Sequence, residues 1–209
     1  MKLLAIDTAL SACTAVVLAD GRLAAVRTEE MARGHQERLA PLVQEVMAEW
    51  GEGFTQLDRI GVTLGPGSFT GLRVGLAFAK GLALALDRPL VGVGTLEALA
   101  ATAGFEGRLA TVLPSRDGAA IQGFDGEAPP LGPPRWANWD EAEALCRDWR
   151  IEHLAGEAPG GFAGLPFQPV RAPDPEALAR LVARTHPGGV TPIYLRPPDA
   201  KLPQAKARP

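Results

Sequence analysis

Asp7 is the first residue placed to do chemistry. It ends a short apolar run, Leu3-Leu4-Ala5-Ile6, and is followed by Thr8, Ser11 and a second apolar run. A carboxylate at the end of a buried strand suits a hard cation, and a turn with free N–H groups suits phosphate, so the arrangement fits a nucleotide phosphotransferase. The turn itself, Thr8-Ala9-Leu10-Ser11, lacks the glycine that lets a phosphate come close. The competing reading is an Asp7 that caps its own turn. Two further loops could complete such a cleft: Arg116-Asp117-Gly118 and the glycine-rich stretch from Gly156 to Gly164. Gly65-Pro66-Gly67-Ser68 opens a helix as a phosphate loop would, but no Gly-Lys-Ser/Thr follows and Pro66 has no N–H to give. It reads better as a tight turn capped by Ser68 or Thr70.

Metal and nucleophile chemistry find less. The three histidines are His35, His153 and His186, and Leu39 stands where a second ligand four residues after His35 would be. Ser68 and Ser115 have no G-x-S-x-G context and no assignable base. We expect no catalytic residue, no metal and no cofactor.

The elements that must hold these residues are those of an α/β protein. With 209 residues, 46% of them apolar, the chain can build a substantial core. A net charge of −3 argues against a general nucleic-acid coat. Cys13 and Cys146 are far apart and read as buried thiols of a reducing compartment. Lys2, Asp7 and the charges that break every later apolar stretch predict neither a signal peptide nor a membrane span, hence a cytoplasmic protein. Leu3–Ile6, Cys13–Ala19 and Arg22–Thr28 read as a three-strand meander with a hairpin at Asp20-Gly21. A helix over 35–50 follows, beginning or turning near Pro41, then a strand at 60–64, a helix at 71–86, a strand at 89–93 and a helix at 95–103 with Thr95 as its cap. Strands at 109–113, 119–124 and 151–155 and helices at 138–149 and 175–185 complete the pattern. The span 126–135 reads as loop. No internal repeat is visible. Residues 196–209, with Arg196, Lys201, Lys206 and Arg208 against one acid, read as a flexible basic tail.

Between Gly71 and Leu86 only Arg73 and Lys80 are charged, and small residues recur at Gly71, Gly75, Ala79 and Ala83. A helix apolar nearly all round is buried nearly all round. It is therefore either a core helix or one shared between its own domain and a partner chain. On the shared reading, Gly75→Leu harms assembly more than folding.

The segments LLAIDTALSACTAVV, HQERLAPL and above all GPGSFTGLRVGLAFAKGLALAL with PLVGVGTLEALA resemble the TsaB/YeaZ family, strongly over residues 1–105 and weakly beyond. The resemblance implies an actin-like ATPase (ASKHA, ribonuclease H-like) fold of two lobes with mixed β-sheets, at 1–105 and 106–195. It implies a non-catalytic, activating partner of TsaD, the subunit that forms threonylcarbamoyladenosine at tRNA position 37, joined by the ATPase TsaE. It also implies a capacity to form homodimers, contact with tRNA only through the complex, and no membrane. The family's pairing surface is built from its first two helices, which here implies His35, Leu39, Leu42, Val43, Val46, Gly71, Leu72, Gly75, Phe78 and Ala79. Asp7, Thr8, Ser11, Asp117 and Gly118 would line a vestigial nucleotide cleft. The family's Asp-Ala-Arg run on the second lobe is missing, and Pro114 stands where its acid is expected. An actin-like small-molecule kinase is the alternative. The old glycoprotease label finds no support in these residues.

Overall fold

A computed structural model describes residues 1–126, 128–158 and 162–195. The tail expected at 196–209 lies outside the described residues, as does part of the glycine-rich loop at 156–164.

Strands β1 (Lys2–Asp7), β2 (Ala12–Ala19) and β3 (Arg22–Glu30) form the meander, and Asp20 and Gly21 both take positive φ at the first hairpin, as a two-residue turn between twisted strands requires. Helix α1 (His35–Trp50) returns the chain to β4 (Arg59–Thr63), which lies parallel to β1; helix α2 (Phe69–Leu86) leads to β5 (Leu90–Val93), parallel to β4. The sheet order is β3-β2-β1-β4-β5. Its interior strands are apolar along nearly their whole length because helices cover both faces. Pro41 lies inside α1 without ending it: the residue faces solvent, and the helix runs unbroken from a left-handed Gly34.

After α3 (Thr95–Ala103) the same plan is used again. Strands β6 (Arg108–Ser115), β7 (Gly118–Asp125) and β8 (Arg135–Asn138) make a second antiparallel meander; helix α4 (Trp139–Asp148) follows; β9 (His153–Gly156) and β10 (Phe167–Pro169) add in parallel on the far side of β6. The order β10-β9-β6-β7-β8 is that of the first sheet. The repeat absent from the sequence is thus present in the topology. Strands β8 and β10 were not expected: both are short edge strands, set among prolines and glycines that read as loop.

The helix that ends each half packs on the other half's sheet. Helix α5 (Pro175–Arg184), capped by Asp174, buries Leu178, Ala179 and Val182 against Leu3, Ala5, Val16 and Val91 of the first sheet. Gly61 on β4 makes room, since a β-carbon there would overlap the Val182 methyls. Helix α3 turns Leu96 and Leu99 to Leu109, Phe124 and Ala155 of the second sheet. The two helices also pack on each other between the sheets. Thr95 is not the α3 cap: it is the first helical residue, and its N–H donates to the Gly65 carbonyl.

Because α5 completes the first sheet's core from a distance of over 80 residues in sequence, Leu178→Ala should destabilise the whole first half by about 2–5 kcal/mol. Urea unfolding followed by circular dichroism checks this; a loss under about 1 kcal/mol, the scale of a surface substitution, would mean α5 is only loosely attached.

Candidate functional site

Asp7 is sealed. Its side chain is 1% exposed; Oδ1 accepts from the Thr63 hydroxyl at 2.6 Å and the Ala9 N–H at 3.0 Å, while Oδ2 is buried without a hydrogen-bond partner among the described residues. The stopper is the start of α2. Ser68 N–H donates to the Ala9 carbonyl at 2.7 Å, and the Thr8 hydroxyl donates to the Gly71 carbonyl at 2.8 Å. A β-carbon on Gly67 or Gly71 would overlap the Ala9 or Thr8 carbonyl oxygen, and one on Gly75 would overlap the Thr8 hydroxyl. The side chain of Ser68 closes the cap by accepting from Gly71 N–H at 3.2 Å. Burial pushes the Asp7 carboxyl above its ordinary pKa, against the pull of the Thr63 and Ala9 hydrogen bonds and of His35. His35 Nε2 donates to the Ala12 carbonyl at 3.2 Å. Burial, with Asp7 and Glu29 adding, pushes the neighbouring Cys13 thiol up to about 11, so it stays protonated and inert.

The residues expected to share a cleft are not brought together. A cavity of about 440 Å³ does open between the halves, walled by Ser11, Ser68, Phe69, Ser115, Glu157 and Tyr194 among others. Of the expected set only Ser11 reaches it. Asp7 and Thr8 lie beneath the α2 cap, and Asp117 sits at the exposed tip of the β6–β7 hairpin. Gly118 is there for the sheet: a β-carbon would overlap the Ala137 carbonyl of β8. Glu157 is the carboxylate of the described lining, and no lysine, arginine or histidine joins it. Such a wall has no positive charge for a phosphate.

The helical surface also differs from the expected one. His35, Leu39, Leu42, Val43 and Val46 are buried against the first sheet, as are Gly71, Leu72, Gly75 and Ala79. The glycine stripe faces inward because only glycine lets α2 lie backbone-close to the loop after β1. Gly75→Leu is therefore a folding defect, not an assembly defect. Of the expected set, Phe78 is half-buried and reachable, and Leu39 shows only an edge. The surface left open is the opposite face of α2, where Arg73, Val74 and Ala77 meet Gln36 and Ala40 of α1 around a groove of about 540 Å³. Leu84, one turn beyond Lys80, is 84% exposed. The two charges, Arg73 and Lys80, marked this solvent side in the sequence. Among the described residues α2 is the helix long and apolar enough to cross a bilayer by length and composition, yet its inner face is packed on β4 and α1 of its own chain.

Two sheets of order 3-2-1-4-5, each a meander extended by two parallel strands, with terminal helices exchanged across them, define an actin-like ATPase fold. The structure is similar to that of ethanolamine utilization protein EutJ from Carboxydothermus hydrogenoformans (TM-score 0.52, 12% identity, 86% of this chain and 89% of that one), a likeness of fold alone. A Pseudomonas aeruginosa protein described as similar to peptidase YeaZ superposes with TM-score 0.80 at 28% identity, covering 93% of this chain and 99% of that one. Escherichia coli K12 TsaB, a tRNA threonylcarbamoyladenosine biosynthesis protein, is 38% identical over 171 residues, 75% of this chain and 69% of the relative. Residues 25–122 also match the family described as TsaD, tRNA N6-adenosine threonylcarbamoyltransferase. The chain belongs to the TsaB/YeaZ family.

The buried carboxyl gives a signed pH test. With its folded pKa raised, Asp7 contributes stability that is fully present below its ordinary value of 3.8 and lost as pH rises through the folded pKa. Asparagine keeps an acceptor for Thr63 and Ala9 but never ionises. The stability of Asp7→Asn relative to the native chain should therefore improve from pH 3.5 to pH 8. Thermal unfolding at both pH values checks this, and a difference independent of pH would show that Asp7 titrates as an ordinary carboxyl.

Proposed function

We propose that this chain is the non-catalytic, activating subunit of the assembly that makes tRNA N6-threonylcarbamoyladenosine, and that it binds a TsaD-type catalytic subunit through the outer face of α1 and α2. The observation that carries the reading is the outer face of α2, where half-buried Val74 and exposed Ala77 line a groove and Leu84, farther along the helix, is exposed. A face of this kind marks an interaction site, and the sealed Asp7 beside it leaves docking as the work of this region. The names of the chain's relatives supply the process. On this reading TsaE joins through the catalytic subunit, tRNA is met only within the complex, a second copy can occupy the same face as a homodimer, and the site of action is the cytoplasm. The lobes divide near residue 105, each borrowing the other's last helix.

An ATP-binding kinase is the second reading, favoured by the interlobe cavity alone. It requires Mg²⁺-ATP to bind the isolated chain, whereas the docking reading expects partner binding with no nucleotide present.

Ala77→Glu tests the docking face. Ala77 is exposed, so the fold is kept; in the assembly the longer side chain overpacks a close contact at a cost of about 1–3 kcal/mol, which weakens binding by about 10-fold or more. Titration against the TsaD-type subunit of the same organism reads the loss. Unchanged affinity would remove this face from the interface.

A further inference from the structure

Phe69 is the residue common to the linings of the interlobe cavity and the α1–α2 groove. It stands at the start of α2, and its ring is engaged twice. The Arg73 guanidinium carbon lies 3.6 Å from the ring centroid, and the Tyr194 ring lies 5.2 Å away, tilted by 43°. Arg73 lines the groove; Tyr194 lines the cavity. The three side chains thus form a continuous stack from one to the other.

Tyr194 is itself held in place from both sides along the chain. Before it, Val190 packs on the core of the first sheet, and the Ile193 N–H donates to the Leu64 carbonyl at 2.7 Å. Gly65, with φ of 103°, allows that approach, since a β-carbon would stand 2.8 Å from the Ile193 carbonyl oxygen. After it, Leu195 packs on the cluster around Leu96, Leu99 and Leu109, which belongs to the second sheet. Residues 190–195 are therefore a strap joining the two halves across the cavity mouth. Tyr194 is 41% exposed, so it is open to solvent beside its anchored neighbours.

We propose that Tyr194 is a positioning residue for partner docking: by bracing Phe69 and, through it, Arg73, it sets the shape of the groove at the start of α2. This rests on the docking face proposed above.

The test uses the full chain and a TsaD-type subunit of the same organism. Tyr194→Ala should weaken binding by about 3- to 10-fold, the scale of one aromatic pair. In the free chain it should also shift the methyl NMR signals of Val74 and Ala77, which Tyr194 does not line. Tyr194→Phe keeps the ring and should match the native chain in both readouts; Tyr194→Leu, which keeps apolar bulk without the ring, should behave as Ala does and guards against loss of fold. Three results would overturn the proposal. One is unchanged affinity in Tyr194→Ala while Ala77→Glu still weakens binding, which leaves the docking face standing. Another is weaker binding with unmoved methyl signals, which makes Tyr194 a direct partner contact. The third is a Phe variant no better than Ala. Normal binding by Ala77→Glu itself would instead sink the docking face.

Discussion

Everything distinctive about this protein depends on how closely α2 lies on the loop after β1. Gly67, Gly71 and Gly75 present bare backbone to the Ala9 and Thr8 carbonyls and the Thr8 hydroxyl, and hydrogen bonds from Ser68 and Thr8 fasten the contact. One close approach has two effects. It roofs Asp7, which would otherwise stand at the end of the strand where ligands of open α/β sheets collect. It also fixes the rotation of α2, so that Arg73, Ala77 and Leu84 stand on its solvent-exposed side. Burying Asp7 and leaving the Arg73 side of α2 open to solvent are the same packing event.

The second constraint is the exchange of terminal helices. Each sheet needs an apolar layer on its inner side, and each receives it from the other half: α5 serves the first sheet and α3 the second. The halves are consequently tied through their cores as well as by the strap at 190–195. A cavity remains where the strap crosses; its described wall carries the Glu157 carboxylate and hydroxyls and, among the described residues, no lysine, arginine or histidine.

Much of this was legible before the structure. Continuous apolar runs and the Asp20-Gly21 turn place β1 to β3 to within about two residues, and the spacing of Leu39, Leu42, Val43 and Val46 gives α1 its buried face, though Pro41 left the start of that helix open. Apolar periodicity says that α2 has a buried side, and the glycine stripe says that something comes close to it. What periodicity cannot say is whether that something is the same chain or another. The β1–β2 loop that fills the stripe is 60 or so residues away in sequence, and its fit depends on backbone atoms that carry no signature of their own. The outer face was readable from Arg73 and Lys80, which cannot be buried unpaired, though the small-residue pattern drew attention to the wrong side. Strands β8 and β10 were hidden for a plainer reason: three or four residues beside prolines are too few to show a period. The topological repeat was hidden because the two meanders share a plan but no residues.

The outer face of α1 and α2 is the docking surface proposed for this protein. Hydrogen–deuterium exchange on the full chain, alone and with a TsaD-type subunit of the same organism, tests it most directly. Docking there slows exchange within His35–Trp50 and Phe69–Leu86 and leaves the β6–β7 hairpin tip around Asp117 unchanged. Slowing at that tip and around Glu157, with α1 and α2 unaffected, would contradict it and return the interlobe cleft to the centre.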